Sequence, residues 1–156
     1  MRILVAEASH AIFERLSELL ASLPGIDITG HTTDVPRTMR CFAERRPDTV
    51  ILDLNIAGGN GIDVLKSIKR THPETAVVVL TRFAYPQYRV KCMDLGAHSF
   101  LDKSMEFEKV PTLIRELAEK HQTDSGASCD GRGRSSLPPS MSKGPRRIAP
   151  CHPQKG

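Results

Sequence analysis

The chain has 156 residues, a net charge of +4 and 39% hydrophobic residues, but only 4% aromatic residues and no tryptophan. This length favours one domain with an additional segment, and a core of Leu, Ile, Val and Ala suits helices packed on a parallel sheet. No apolar run reaches the roughly 20 residues that a membrane span needs. The apolar run before Glu7 is too short for a signal peptide, so we expect a cytoplasmic location and no membrane partner.

The positive charge is confined to the C-terminal part of the chain. Residues 1–121 carry equal numbers of acidic and basic side chains, so the whole excess lies in residues 122–156. That stretch is rich in Gly, Pro and Ser and has no apolar periodicity, which predicts a disordered basic tail. We therefore predict a folded domain at 1–121 and a tail at 122–156.

Five β-like runs alternate with five amphipathic helical runs in the predicted domain. The strands cover 2–6, 26–30, the run that ends at Asp53, 76–81 and 97–102. The helices cover about 12–23, 35–46, 62–72, 86–95 and 110–117, with Asp34 as a cap of the second and Pro-Gly or His-Pro stops after the first and third. Five βα units in sequence imply a parallel sheet with helices on both faces, and a site at the carboxyl ends of the strands.

Polar residues follow four of these strands: Glu7, Asp53, Thr81 and Lys103. The carboxyl ends of parallel strands meet at one edge, so these side chains converge. Transfer of a phosphoryl group to a carboxylate needs this set of residues. Asp53 would be the nucleophile, a cation held by acids would offset charge, and Lys103 and Thr81 would bind the transferred group.

Five short motifs then carry a family resemblance. They are I-L-V-A-E at 3–7, D-L-N-I-A-G-G-N-G at 53–61, V-V-V-L-T at 77–81, G-A at 96–97 and F-L-D-K-S at 100–104. In this order and spacing, the chain resembles the receiver domain of bacterial two-component response regulators over about residues 1–121. The resemblance implies a flavodoxin-like α/β fold, a doubly wound five-stranded parallel sheet in the order 2-1-3-4-5.

The same resemblance implies roles for individual residues. Asp53 matches the phosphoacceptor and Lys103 the lysine that contacts the phosphoryl group. Thr81 and Phe100 match the switch pair, in which the hydroxyl moves toward the phosphoryl group and the aromatic ring turns inward. We expect phosphorylation to change the surface near this ring.

The resemblance also implies a Mg²⁺ site, and there the chain departs from the family pattern. Glu7, Asp53 and the backbone carbonyl of Asn55 match metal ligands, but Ala8 stands where the family usually has a second acid. A methyl group cannot coordinate Mg²⁺, so water must fill the position. We predict weak Mg²⁺ binding and slow or conditional phosphorylation.

Two further departures lie close to the predicted site. Arg82 follows the switch threonine and would either obstruct entry or supply a second cation. Gly58 and Gly59 follow Ala57, where the family commonly has proline, and they make the loop after Asp53 permissive. We expect a more mobile loop.

A cluster of aromatic residues, F-A-Y-P-Q-Y-R at 83–89, lies where the family has its output surface. Aromatic and Arg side chains commonly anchor interfaces, which favours Phe83, Tyr85, Tyr88 and Arg89 as a partner surface. The alternative is that one or two of the aromatic rings pack in the core.

These features favour a single-domain response regulator. It would accept a phosphoryl group on Asp53 from a sensor histidine kinase or phosphotransfer protein and signal by binding a downstream protein. We expect no enzymatic activity beyond slow self-dephosphorylation. The first alternative is a pseudo-receiver that binds partners without phosphorylation, because of Ala8. The second is nucleic-acid binding by the tail, which its lack of aromatic residues disfavours.

Overall fold

The computed structural model describes residues 1–129, with side-chain environments for residues 1–121. A parallel sheet of five strands lies between two layers of helices, in the order β2-β1-β3-β4-β5. This confirms the predicted fold class and strand order. The strands are β1 (Arg2–Ala6), β2 (Asp27–Thr32), β3 (Thr49–Leu52), β4 (Ala76–Thr81) and β5 (Ser99–Asp102). The helices are α1 (His10–Ala21), α2 (Val35–Arg45), α3 (Gly61–Thr71), α4 (Pro86–Asp94) and α5 (Val110–Cys129), with a short 3₁₀ turn at Phe107–Lys109 before α5.

Polar caps fix where the first three helices begin. Ser9, Asp34 and Asn60 each accept a hydrogen bond from a backbone N–H of the first turn. Such caps satisfy donors that have no partner inside the helix. At Asp34 the donor is the backbone N–H of Arg37 at 2.8 Å, as the predicted cap requires.

The side chains of the central strands alternate between two hydrophobic clusters. Leu4, Val50 and Leu52 face α2, α3 and α4, whereas Ile3 and Ile51 face α1 and α5. A strand has a side-chain period of two, so a run buried on both faces carries apolar residues at every position. Both faces of the central strands are therefore covered by helices, and the carboxyl edge of the sheet lies between the two helix layers.

The last helix differs from the prediction at its C-terminal end. Residues 122–129, assigned above to the tail, continue α5 as far as Cys129. The chain has no proline between 112 and 137 to block the extension of a helix already begun. Residues 130–156 lie outside the described residues, so tail disorder and nucleic-acid binding by the tail stay predictions.

None of the helices in the described part of the chain has the length and apolar composition that crossing a membrane requires.

Candidate functional site

Three charged side chains meet at the carboxyl edge of the sheet. Glu7 follows β1, Asp53 follows β3 and Lys103 follows β5, and all three are buried, with 2%, 5% and 8% of their surface exposed. The Nζ of Lys103 lies 2.9 Å from Oε1 of Glu7 and 2.9 Å from Oδ2 of Asp53. The ammonium group therefore bridges the two carboxylates, as the sequence predicts for residues that converge on one edge.

The two remaining carboxylate oxygens bond the backbone. Oε2 of Glu7 accepts a hydrogen bond from the N–H of Ser9 at 2.9 Å, and Oδ1 of Asp53 accepts one from the N–H of Asn55 at 3.0 Å. Each of the four oxygens thus has a donor. Charge-assisted hydrogen bonds of this kind offset the cost of burying two negative charges and fix the orientation of both groups.

Parallel pairing continues past the strands and sets the spacing of the site. The N–H of Asp53 donates to the carbonyl of Ala6 at 2.9 Å, and the N–H of Lys103 donates to the carbonyl of Thr81 at 2.8 Å. The N–H of Glu7 donates to the carbonyl of Thr32 at 2.9 Å. The backbone of each charged residue is therefore held by the neighbouring strand.

Gly61, at the start of α3, lies against the backbone that carries Asp53. A Cβ atom there would be 2.6 Å from the Cα of Leu54 and 2.8 Å from the carbonyl oxygen of Asp53. Real Cβ atoms essentially never come this close, and both obstacles are backbone atoms. The close approach of α3 to the Asp53 loop therefore requires glycine.

The loop between Asp53 and α3 is anchored to the start of α2. The carbonyl of Ala57 accepts a hydrogen bond from Val35 at 2.8 Å, and its N–H donates to Thr33 at 3.3 Å. A Cβ on Gly58 would lie 2.9 Å from the ring of Pro36. The two glycines thus allow a close approach between segments, and the greater mobility expected for this loop stays a prediction.

Ala8 is exposed and places a methyl group beside Glu7. Among the described residues, no group of three or more His, Cys, Asp or Glu side chains is arranged to hold a metal ion. Mg²⁺ commonly keeps several water ligands and uses one or two carboxylates. Glu7 and Asp53 supply two carboxylates at this edge, which is the number that a largely hydrated Mg²⁺ commonly uses.

The predicted switch pair occupies buried positions next to the site. Thr81 is fully buried, and its Oγ1 accepts a hydrogen bond from the N–H of Phe83 at 3.1 Å. Phe100 is 3% exposed and packs in the cluster beneath α4. The hydroxyl of Thr81 thus connects the carboxyl edge to the first residue of the aromatic segment.

The three aromatic side chains of that segment lie on the surface, together with Arg82. The ring centres of Phe83 and Tyr85 are 6.3 Å apart, and those of Tyr85 and Tyr88 are 5.7 Å apart. The alternative in which some of these rings pack in the core is therefore wrong. A cavity of about 350 Å³ separates the cluster from the loop after Asp53; its lining includes Leu54, Asn55, Asn60, Ile62, Phe83 and Tyr88.

Two residues that support Glu7 are not among the site residues predicted from the sequence. Ser9 contributes its backbone N–H and is also the cap of α1, a role that its position before a helical run could have suggested. His31 lies in β2 with its Nε2 2.9 Å from the carbonyl oxygen of Glu7. Because a carbonyl only accepts, Nε2 carries the proton in this contact.

The surroundings of His31 favour its neutral form. Its ring stacks on Phe13 with the centres 3.8 Å apart and the planes 2° from parallel. Burial lowers the pKa of His31 below its ordinary value of 6.5, and the bond to the Glu7 carbonyl opposes this only in part. No sequence motif marks this residue, because its role depends on the pairing of β1 with β2.

Comparison with known proteins agrees with this fold. The family described as "Response regulator receiver domain" matches residues 3–115. The transcriptional regulatory protein LiaR of Bacillus subtilis is 27% identical over 119 residues, which cover 76% of this chain and 56% of LiaR. The chain spans about half the length of the curated relatives it matches.

Solved structures show the same fold. The response regulator domain of Thermotoga maritima CheB has a TM-score of 0.66 and 25% identity, with 79% of this chain and 94% of that chain covered. The isolated REC domain of RcsB from Salmonella enterica serovar Typhimurium has a TM-score of 0.72 and 21% identity, with 76% and 88% covered. The family match over most of the folded part shows that this chain belongs to the response regulator receiver domain family.

Proposed function

We propose that the protein accepts a phosphoryl group on Asp53 from a sensor histidine kinase or phosphotransfer protein, and acts as a single-domain regulator that binds a downstream protein. Receiver domains as a family work with such donors and bind Mg²⁺ for phosphorylation. One observation carries the proposal: the carboxylate of Asp53 is buried at a strand end and bonded to the ammonium of Lys103 at 2.9 Å.

The proposed reaction is a substitution at phosphorus. A carboxylate oxygen of Asp53 forms a bond to phosphorus while the bond between phosphorus and the donor imidazole breaks, and the imidazole leaves with the electron pair. Lys103 binds an oxygen of the transferred group. Thr81 binds a second oxygen of this group after its hydroxyl turns away from the N–H of Phe83. The loss of this hydrogen bond transmits the change to the exposed aromatic segment.

The exposed segment with Phe83, Tyr85, Tyr88 and Arg89 is the proposed surface for the downstream protein. Its three aromatic rings form a continuous exposed group, and rings of this kind contribute much of the binding energy in protein interfaces. Arg89 follows Tyr88 in the chain, and its side chain remains 46% exposed. The hydrogen bond from the N–H of Phe83 to Thr81 therefore connects the proposed phosphorylation site to this surface.

Glu7, Asp53 and the backbone carbonyl of Asn55 would hold Mg²⁺, which supplies positive charge beside the phosphoryl oxygens. With Ala8 next to Glu7, we expect weak binding. Titration with Mg²⁺ should give an affinity roughly tenfold higher for Ala8→Asp than for the wild type, since a second acid adds attraction in a partly buried site. Equal affinities would remove this part of the proposal.

Incubation with acetyl phosphate and Mg²⁺, followed by intact mass measurement, tests phosphorylation directly. We expect a phosphoryl adduct on the wild type and none on Asp53→Asn. Asp102→Asn is a matched control, because Asp102 also ends a strand and accepts a hydrogen bond from the N–H two residues on, Ser104, at 2.8 Å. This variant should keep the adduct.

A pseudo-receiver is the second candidate, favoured by Ala8 and by the donors already bound to all four carboxylate oxygens. It would bind its partner through the exposed aromatic segment whether or not Asp53 is modified. In the mass measurement the wild type would then carry no adduct. Partner affinity would also be the same in the wild type and in Asp53→Asn.

A further inference from the structure

The guanidinium of Arg89 joins α4 to the neighbouring strand β5. Its Nη1 donates a hydrogen bond to the carbonyl oxygen of Phe100 at 3.1 Å, and its Cζ lies 4.9 Å from the centre of the Phe100 ring. Its Nη2 lies 3.5 Å from a carboxylate oxygen of Glu106, which follows β5. One side chain thus bonds the backbone of Phe100, covers its ring and is itself held by an acid.

The rest of α4 has little contact with the core. Cys92 is the one buried residue of this helix, and Tyr85, at its cap position, forms no side-chain hydrogen bond to the first turn. Val90 and Met93 are exposed. A helix that buries so little apolar surface gains little from packing, which gives more weight to the contacts of Arg89.

We infer that Arg89 is a positioning residue that holds the Phe100 ring inside the protein and couples the ring to α4. The ring is 3% exposed and lies directly under the guanidinium. A cation over an aromatic face favours that arrangement by about two- to thirtyfold in population. Arg89 therefore raises the fraction of molecules with the ring inward, before any phosphoryl group is present.

This inference rests on the proposed function, in which Phe100 is the aromatic member of the switch. An inward ring is the arrangement expected after phosphorylation. The contacts of Arg89 therefore bias the switch toward that state and reduce the change that phosphorylation must produce. Loss of Arg89 should make the ring position more dependent on phosphorylation.

The chain offers a matched contact elsewhere. The Cζ of Arg15 lies 4.7 Å from the centre of the Phe107 ring, and its Nη2 lies 3.7 Å from a carboxylate oxygen of Glu108. Arg15 is thus also an arginine stacked on a phenylalanine beside an acid, but it belongs to α1 and packs against another ring. Arg15→Gln removes the same type of contact without touching Phe100.

Three-bond NMR couplings from the backbone nitrogen and carbonyl carbon to Cγ of Phe100 report its χ1 populations, measured on the unphosphorylated full chain. We expect values for a single rotamer in the wild type and in Arg15→Gln. In Arg89→Gln we expect averaged values, with the ratio of outward to inward ring raised about tenfold. Arg89→Lys should lie between them, because lysine keeps the charge but loses the planar stacking group.

Averaged couplings in the wild type, or a single rotamer in a folded Arg89→Gln variant, would overturn the inference. Averaging in Arg15→Gln would do the same, because it would indicate general loosening. If Arg89→Gln does not fold, Glu106→Gln replaces it, with the same direction of change and a smaller size. No phosphoryl donor is used, so a failure here leaves the mass test of Asp53 standing, and the reverse also holds.

Discussion

Charged side chains gather at both edges of the sheet, but they bond different partners. At the carboxyl edge, the ammonium of Lys103 bonds two buried carboxylates, those of Glu7 and Asp53, at 2.9 Å each. At the amino edge, the ammonium of Lys69 bonds two backbone carbonyls, those of Pro73 and Thr75, at 2.7 Å each. The first lysine joins two carboxylates, which attract a cation, and its ammonium group can bind a phosphoryl oxygen, whereas the second lysine closes the turn after α3.

An acid at the amino edge shows the same difference. The carboxylate of Asp48 accepts a hydrogen bond from the backbone N–H of Arg2 at 2.8 Å and lies 3.7 Å from the ring of His121. It is half-buried, whereas Asp53 is 5% exposed. Residue type alone therefore does not identify a site, whereas a cluster of ionisable groups that bond one another and are all buried points to one.

The largest effect should come from removing the buried cation. Lys103→Met leaves two carboxylates buried side by side without their partner, which costs about 3–5 kcal/mol in the free energy of unfolding. Lys69→Met loses two hydrogen bonds from a partly exposed lysine, and should cost about 1–2 kcal/mol. Urea denaturation of both variants at neutral pH measures the difference.

A double variant shows whether charge causes the larger loss. Asp53→Asn in the Lys103→Met background removes one of the two repelling charges, so it should recover part of the lost stability. In the wild-type background the same substitution breaks an ion pair and should destabilise. Similar losses for the two lysine variants would contradict the comparison between the edges.

Glycines at the two edges offer a second contrast. Gly61→Ala at the carboxyl edge drives a methyl group into the backbone of Leu54 and Asp53, and should cost about 3 kcal/mol, at the upper end for overpacking. Gly25→Ala, near the amino edge, meets no atom within 4 Å and bears only the strain of a φ of +77°. That strain is worth about 1–2 kcal/mol.

The two glycine variants should also differ in the rate at which Asp53 is phosphorylated. Gly61→Ala should slow adduct formation with acetyl phosphate, because it displaces the residue that carries the acceptor. Gly25→Ala should leave the rate unchanged. An equal rate in Gly61→Ala would mean that the Asp53 loop tolerates displacement.

The sequence predicted much of this architecture, because its signals are local. Strand 2–6 and strand 76–81 have the predicted bounds, and Asp34 caps α2 as expected. The convergence of Glu7, Asp53 and Lys103 followed from parallel pairing alone. Each of these predictions needs only periodicity, a cap or the direction of a strand.

The sequence could not predict contacts between segments that are far apart in the chain. The bond from His31 to Glu7 depends on the pairing of β1 with β2, and the packing of Gly58 on Pro36 depends on how two loops meet. The sequence predicted Arg89 as part of a partner surface, but it did not reveal that the guanidinium also lies over the ring of Phe100. A long, flexible side chain can adopt several conformations, and the residues packed around it in the fold determine which one it takes.

The smallest expected effect concerns pH and compares one histidine near each edge. Burial lowers the pKa of His31 at the carboxyl edge, and burial, followed by the charges of Lys120 and Lys69, lowers that of His98 at the amino edge, while Glu116 opposes this. Both folded-state pKa values lie below the ordinary 6.5, so the unfolded chain takes up protons first as the pH falls. Their contribution to stability is fully present above pH 6.5 and is lost below it.

Urea denaturation at a series of pH values between about 7.5 and 5 therefore measures a slope to which both histidines contribute. His31→Gln should flatten that slope more than His98→Gln, because the ring of His31 is half-buried against Phe13 whereas His98 is exposed. Glutamine retains an N–H donor for the carbonyl of Glu7, so the comparison concerns the proton and not the hydrogen bond. A larger flattening of the slope in His98→Gln would contradict this prediction. It would show that the charges around His98 at the amino edge contribute more to the pH dependence of stability than the burial of His31 does.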